Sequence, residues 1–78
     1  MAKLSQVKSR DLVKVAGALG FKFRAQSGSH AVYSHPDGRK TTIPVHPSQT
    51  IGVGLVSKII KKDLKITKIE FLEILRRY

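Results

Sequence analysis

Three histidines, His30, His35 and His46, stand in a 78-residue chain that carries 15 Lys and Arg against 5 Asp and Glu, a formal net charge of +10. An imidazole exchanges its proton near working pH, so each is a candidate general acid or base. Cations around it would attract a phosphate and stabilise negative charge developing there. One chemistry that such a combination could serve is cleavage of RNA, which brings its own nucleophile, the 2′-hydroxyl. Such cleavage needs a base for that proton, an acid for the leaving 5′-oxygen, and positive charge near the phosphorane. The chain has no cysteine, which excludes disulfides and thiolate metal sites. The histidines lack a matching carboxylate cluster, so neither a metal nor a cofactor is expected. Gly52-Val53-Gly54 lacks the further glycine and the strand context of a phosphate-cradling loop.

A chain this short holds one core, so residues 1–78 read as a single domain. With 41% hydrophobic and 26% charged residues it has a globular composition. The strong basic balance points to a polyanion partner, of which nucleic acid is the commonest. A plainer alternative is a structural basic protein. No apolar run reaches the length of a membrane span, and the first residues do not read as a signal peptide. The expectation is a cytoplasmic protein without a membrane partner, monomeric when free.

Periodicity supplies the elements that must position the histidines. Met1 to Lys8 reads as a polar, basic lead-in. Ser9 is a good N-cap, and Leu12, Val15, Ala16 and Leu19 recur at helical spacing before Gly20, giving a helix from Ser9 to Leu19. Phe21, Phe23 and Ala25 alternate with Lys22, Arg24 and Gln26 as a half-buried strand. After Ser27-Gly28-Ser29 come a second strand, His30 to His35, a Pro36-Asp37-Gly38 turn, and a third strand, Arg39 to Val45. Pro44 marks an edge or the end of pairing. A loop from His46 to Gly52 leads to a helix from Val53 to Lys62. Thr67 and Glu70 form a capping box for a last short helix. The order is α-β-β-β-α-α, an α+β fold with a three-stranded antiparallel meander and helices on one face.

The register assigns faces. A three-residue second loop sets His35 opposite Arg39, Tyr33 opposite Thr41 and Ala31 opposite Ile43. A three-residue first loop sets Phe23 opposite Tyr33 and Ala25 opposite Ala31. The buried face is then Phe21, Phe23, Ala25, Ala31, Tyr33, Ile43 and Val45. The open face carries Lys22, Arg24, Gln26, His30, Val32, Ser34, Lys40, Thr42 and Pro44, joined by His46 if the third strand continues. His30 is the candidate acid or base; the alternative is a hydrogen-bonded surface histidine. Lys22, Arg24 and Lys40 are candidate phosphate ligands, or else solvated strand cations. Gly28 would let the backbone turn or approach phosphate, and Ser29 would orient the ring or bind phosphate. Both are also ordinary turn residues. His46 is a second proton-transfer group, a phosphate donor or a loop histidine. His35 flanks the turn without an assigned role, and Tyr33 faces the core. Lys58, Lys61, Lys62, Lys65 and Lys68 form a charge run, either a wet helical face or a grip on RNA.

Gly28-Ser29-His30, followed by Tyr33, His35-Pro36-Asp37-Gly38-Arg39 and Ile43-Pro44-Val45-His46, resembles the HicA (YcfA-like) toxin family. The likeness extends to Leu19-Gly20-Phe21 and Glu70-Phe71-Leu72. It implies a double-stranded-RNA-binding-like fold and a metal-independent mRNA-cleaving toxin. It also implies a partner antitoxin of the HicB kind that blocks the site. The family's catalytic histidine falls on His30. Two departures stand out: Val53-Gly54-Leu55 where Gly-Thr-Leu is common, and Lys61-Lys62-Asp63-Leu64-Lys65 where a glycine often precedes the last helix. The competing expectation is a non-catalytic RNA-binding domain of the same fold.

Overall fold

The computed structural model describes residues 6–78. Helix α1 (Ser9–Ala18) leads into strands β1 (Lys22–Ser27), β2 (His30–Ser34) and β3 (Lys40–Pro44). These pair antiparallel in the order β1-β2-β3. Helix α2 (Val53–Lys58) continues directly into a π-helical turn, Ile59–Leu64, and α3 (Lys68–Arg77) closes the chain. The α+β architecture and the element order are those expected.

The helices cover one face of the sheet. Leu12, Val15 and Ala16 of α1, Val56 of α2, Ile59, Ile60 and Leu64 of the π turn and Phe71 of α3 are all buried with Ile43 of β3. Most of the expected lead-in, through residue 5, lies outside the described residues. Its last residues are not a mere tail: Val7 is buried, its carbonyl accepts from Ile51, and Lys8 bridges Thr50. The N-cap of α1 is Lys8, not Ser9. The Lys8 amide donates to the Asp11 carboxylate at 2.9 Å, whereas the Ser9 hydroxyl is buried without a partner. Thr67 and Glu70 do form the expected reciprocal cap on α3, at 3.1 and 2.9 Å.

The second hairpin has the expected register throughout, from Ser34 opposite Lys40 to His30 opposite Pro44. The first does not. Gly28 and Ser29 form a two-residue turn, with Gly28 at φ 59 and Ser27 opposite His30. Glycine at the first turn position suits the tight hairpin type whose twist matches the strands. A bulge between Phe23 and Ala25 then restores the expected pairing of Phe23 with Tyr33. As a consequence Ala25 pairs with Val32 on the open face, and Gln26 pairs with buried Ala31 on the helix side. Both assignments are the reverse of those expected. Phe23 lies on the helix side but is 55% exposed, because β1 runs beyond the helices.

The β2–β3 hairpin tip fastens the sheet to two helix ends. His35 Nε2 lies 3.0 Å from the Leu19 carbonyl at the end of α1, and Asp37 N–H donates to His35 Nδ1 at 3.0 Å. The ring also packs edge-on against Phe21. Arg39 makes the second fastening: its guanidinium lies 5.2 Å from the Phe21 ring centre and donates to the Leu64 carbonyl and to Asp37. Gly20 has φ 102, and a Cβ there would come within 3.0 Å of His35 Nε2, so no larger residue fits without displacing the ring.

Asp37 accepts the Arg39 backbone amide at 3.0 Å and its guanidinium at 2.8 Å. The hydrogen bond from the Arg39 amide, aided by the Arg39 side chain, holds the carboxyl below its usual 3.8 against an opposing loss of hydration. A carboxyl depressed by folding contributes stability above its unfolded pKa and loses it as pH falls through the folded value. We therefore expect Asp37→Asn to be less stable than the wild type near neutrality. The gap should shrink as pH drops below about 3.8 in melts followed by circular dichroism. A gap independent of pH would rule out this role for the charge.

Candidate active site

The open sheet face is built as three rows of opposed residues, since directly paired residues share a face. At the hairpin-tip end Lys22, Ser34 and Lys40 lie side by side. In the middle are Ala25, Val32 and Thr42, with Arg24 in the bulge beside them. At the other end Ser27, His30 and Pro44 form the last row, next to the Gly28–Ser29 turn. His30 and Ser34 are separated along β2 by about 13 Å, from four residues at the strand rise.

His30 is exposed at the first position of the central strand. Its direction is set by its neighbour. Ala31 is 4% exposed and pairs with Ile43, which is 1% exposed, so the alternation of β2 turns His30 outward. Among the described residues its ring makes no hydrogen bond, which leaves both nitrogens open to a substrate. A Cβ built on Gly28 meets nothing within 4 Å, so a ligand can approach the turn backbone closely. Ser29 is exposed, and its carbonyl accepts Val45 N–H at 2.9 Å. That bond carries the β2–β3 ladder one step past the strands and steadies the turn beside His30.

Arg24 Nε donates to Ser34 Oγ at 2.6 Å. This fixes the guanidinium on the open face and leaves its terminal nitrogens free to fork onto a phosphate. It also draws the group toward Lys22 and Lys40 and away from His30. Ion pairs among the described residues involve only Asp37, so the charges of Lys22, Arg24 and Lys40 are uncompensated.

The structure thus gathers Lys22, Arg24 and Lys40 at one end of the face, with Gly28, Ser29 and His30 at the other. His46 is not in the sheet. The third strand stops at Pro44, and the His46 carbonyl closes a turn by accepting Gln49 N–H at 3.0 Å. Ser27 and the Ser34 latch on Arg24 were missed by sequence reasoning. The Gly-Ser pair, a known two-residue hairpin turn, was the signal for the first. Nothing in the sequence signalled the second. No group of three or more His, Asp or Glu that could hold a metal occurs among the described residues. None of their helices is long and apolar enough to cross a membrane. A groove of about 310 Å³ lies on the helix side, between α1 and the sheet, with Val13, Phe23, Tyr33 and Pro47 in its walls. Its walls are mostly apolar, with Arg10 and Gln26 also lining it, and it lies on the face away from His30.

A family model described as the HicA toxin of bacterial toxin-antitoxin systems matches residues 9–66 of the 78-residue chain. No curated protein matches it. The matched span takes in α1, the whole sheet and the π turn, and every candidate site residue named above.

Proposed function

Because the chain belongs to the HicA family of bacterial toxin–antitoxin toxins, we propose that it is an endoribonuclease that cleaves mRNA with His30 as the proton-transfer group. The observation that carries this reading is the outward His30 ring, without a protein partner, on a face whose only charged side chains are cations. The 2′-hydroxyl attacks the adjacent phosphorus and the bond to the 5′-oxygen breaks. His30 takes the proton from the first oxygen or gives one to the second, and solvent water makes the other transfer. The products are a 2′,3′-cyclic phosphate and a 5′-hydroxyl, and no metal takes part. The Gly28–Ser29 turn, adjacent to His30, supplies the nearest donors to the scissile phosphate. Lys22, Arg24 and Lys40 hold phosphates flanking it, about 13 Å along the face.

A toxin of this kind has a cognate antitoxin. We take it to be of the HicB kind, and the chain's charge of +10 fits an acidic surface laid over the open face. The test is digestion of RNA in excess chelator beside the same strand carrying 2′-deoxy sugars. We expect the RNA to be cut to cyclic-phosphate ends and the deoxy strand to stay whole. Equal cleavage of both strands, or cleavage abolished by the chelator, would overturn the proposal. Binding without cleavage of either would leave the chain an RNA-binding domain.

A further inference from the structure

Nine of the chain's cations lie on the helical layer rather than on the open face, and four of them, Lys61, Lys62, Lys65 and Lys68, cluster where the π turn meets α3. We propose that these four lysines form a second phosphate-binding surface, which continues the open face round the hairpin tip and holds RNA beyond the cleaved segment. This rests on the ribonuclease reading above and extends it.

Three observations carry the inference. The first is connectivity. Arg39 donates to the Leu64 carbonyl. Lys40 follows Arg39 on the open face, and Lys65 follows Leu64 in the cluster, so the two lysines flank a single contact at the hairpin tip. A strand lying over Lys22 and Lys40 that passes the tip therefore meets Lys65 next.

The second is charge. Of the two acids of this segment, Asp63 turns to the sheet and accepts the buried Thr41 hydroxyl at 2.9 Å, while Glu70 accepts the Thr67 amide at 2.9 Å and lines the cleft as one carboxylate against three lysines. No lysine among the described residues forms an ion pair. The cleft among Lys61, Lys65 and Lys68 is wide, about 460 Å³. Protein interfaces are depleted in lysine and anchored by aromatic residues and arginine, neither of which lines this cleft. Phosphate contacts are made by such lysines.

The third is backbone conformation. Lys65 ends the π turn in the left-handed region, at φ 56 and ψ 46, and is the one non-glycine residue with positive φ among those described. Glycine is the ordinary occupant of such a helix-ending position, and a side chain there is held at a cost. Lys65 thus holds its charge at a backbone position that glycine would occupy without strain.

The experiment uses the intact protein and 2′-O-methyl RNA, which binds without being cut. Two lengths are compared, about 4 nucleotides for the open face alone and about 20 to pass the tip. In Lys61→Ala/Lys65→Gly we expect affinity for the long strand to fall roughly tenfold. The salt slope of that binding should drop by about 1.4, the value for two lost contacts to a single strand. Affinity for the short strand should not change. Lys65→Gly alone should melt higher by about 2–6 °C, as relief of left-handed strain requires. Unchanged long-strand affinity and slope, beside a Lys22→Ala/Lys40→Ala control that weakens both lengths, would overturn the second surface. So would loss of antitoxin affinity with RNA binding intact, which would make the cluster a protein contact. A wild type that binds neither strand would overturn the ribonuclease reading itself.

Discussion

His30→Ala will lower RNA cleavage by about 10²–10⁴-fold, the range that one positioned proton-transfer group supplies, and will leave RNA affinity and folding nearly as they were. The side chain is exposed and unbonded at a strand start. Its removal leaves no cavity and orphans no buried partner, so the stability change should stay within about 0.5 kcal/mol. Affinity should persist because the cations that hold the backbone, Lys22, Arg24 and Lys40, are seated on other strands or at the far end of the face. The informative measurement is the pair of numbers together, single-turnover cleavage and binding of an uncleavable strand. A fall in cleavage matched by an equal fall in affinity would make His30 an RNA ligand, and undiminished cleavage would remove it from the chemistry.

Why the outward His30 was legible while much else was not can be traced to single residues. Pro36-Asp37-Gly38 dictates a three-residue loop, and that loop alone sets the β2–β3 register. Once Ala31 faces Ile43, His30 must face solvent, whatever β1 does. The first hairpin lacked such a constraint. Gly28-Ser29 fits a two-residue turn, and a bulge reconciles it with the rest of β1, where Phe23 packs edge-on against Tyr33. The bulge also brings Arg24 to Ser34, so a feature of the site depended on an irregularity with no local signature. The Ser9 cap failed for a tertiary reason: the segment before α1 is tied to Gln49 and Ile51, which draws Ser9 into the interior. Left-handed Lys65 was invisible because glycine is the usual signal of that conformation. The motif His35-Pro36-Asp37-Gly38-Arg39 reads, in sequence, as a hairpin turn with no assigned role for His35. Its partners, the Leu19 and Leu64 carbonyls, lie 16 and 25 residues away, and only the fold reveals them.

That distinction yields a second large effect, opposite in kind to the first. His35→Ala should destabilise the protein by about 2–4 kcal/mol, a large part of the stability of a domain this size. The ring is largely shielded and packs on buried Phe21 with centres 5.3 Å apart. With Nδ1 accepting the Asp37 amide, its proton sits on Nε2 and is donated to the Leu19 carbonyl. Truncation removes both bonds, at about 1 kcal/mol each, and leaves a cavity against Phe21. It also loosens the tip from which Arg39 reaches Leu64, so part of the loss should be shared with Arg39→Ala. In a double-mutant cycle the two substitutions should cost less together than the sum of the singles. Below the lowered melting temperature, the His35→Ala protein should cleave RNA at close to the wild-type rate per folded molecule, because the ring faces α1 and not the open sheet. A variant that melts like the wild type but cleaves a hundredfold more slowly would transfer the chemistry to this end of β2. It would mean that substrate enters where Leu19 and Gly20 now close around the imidazole.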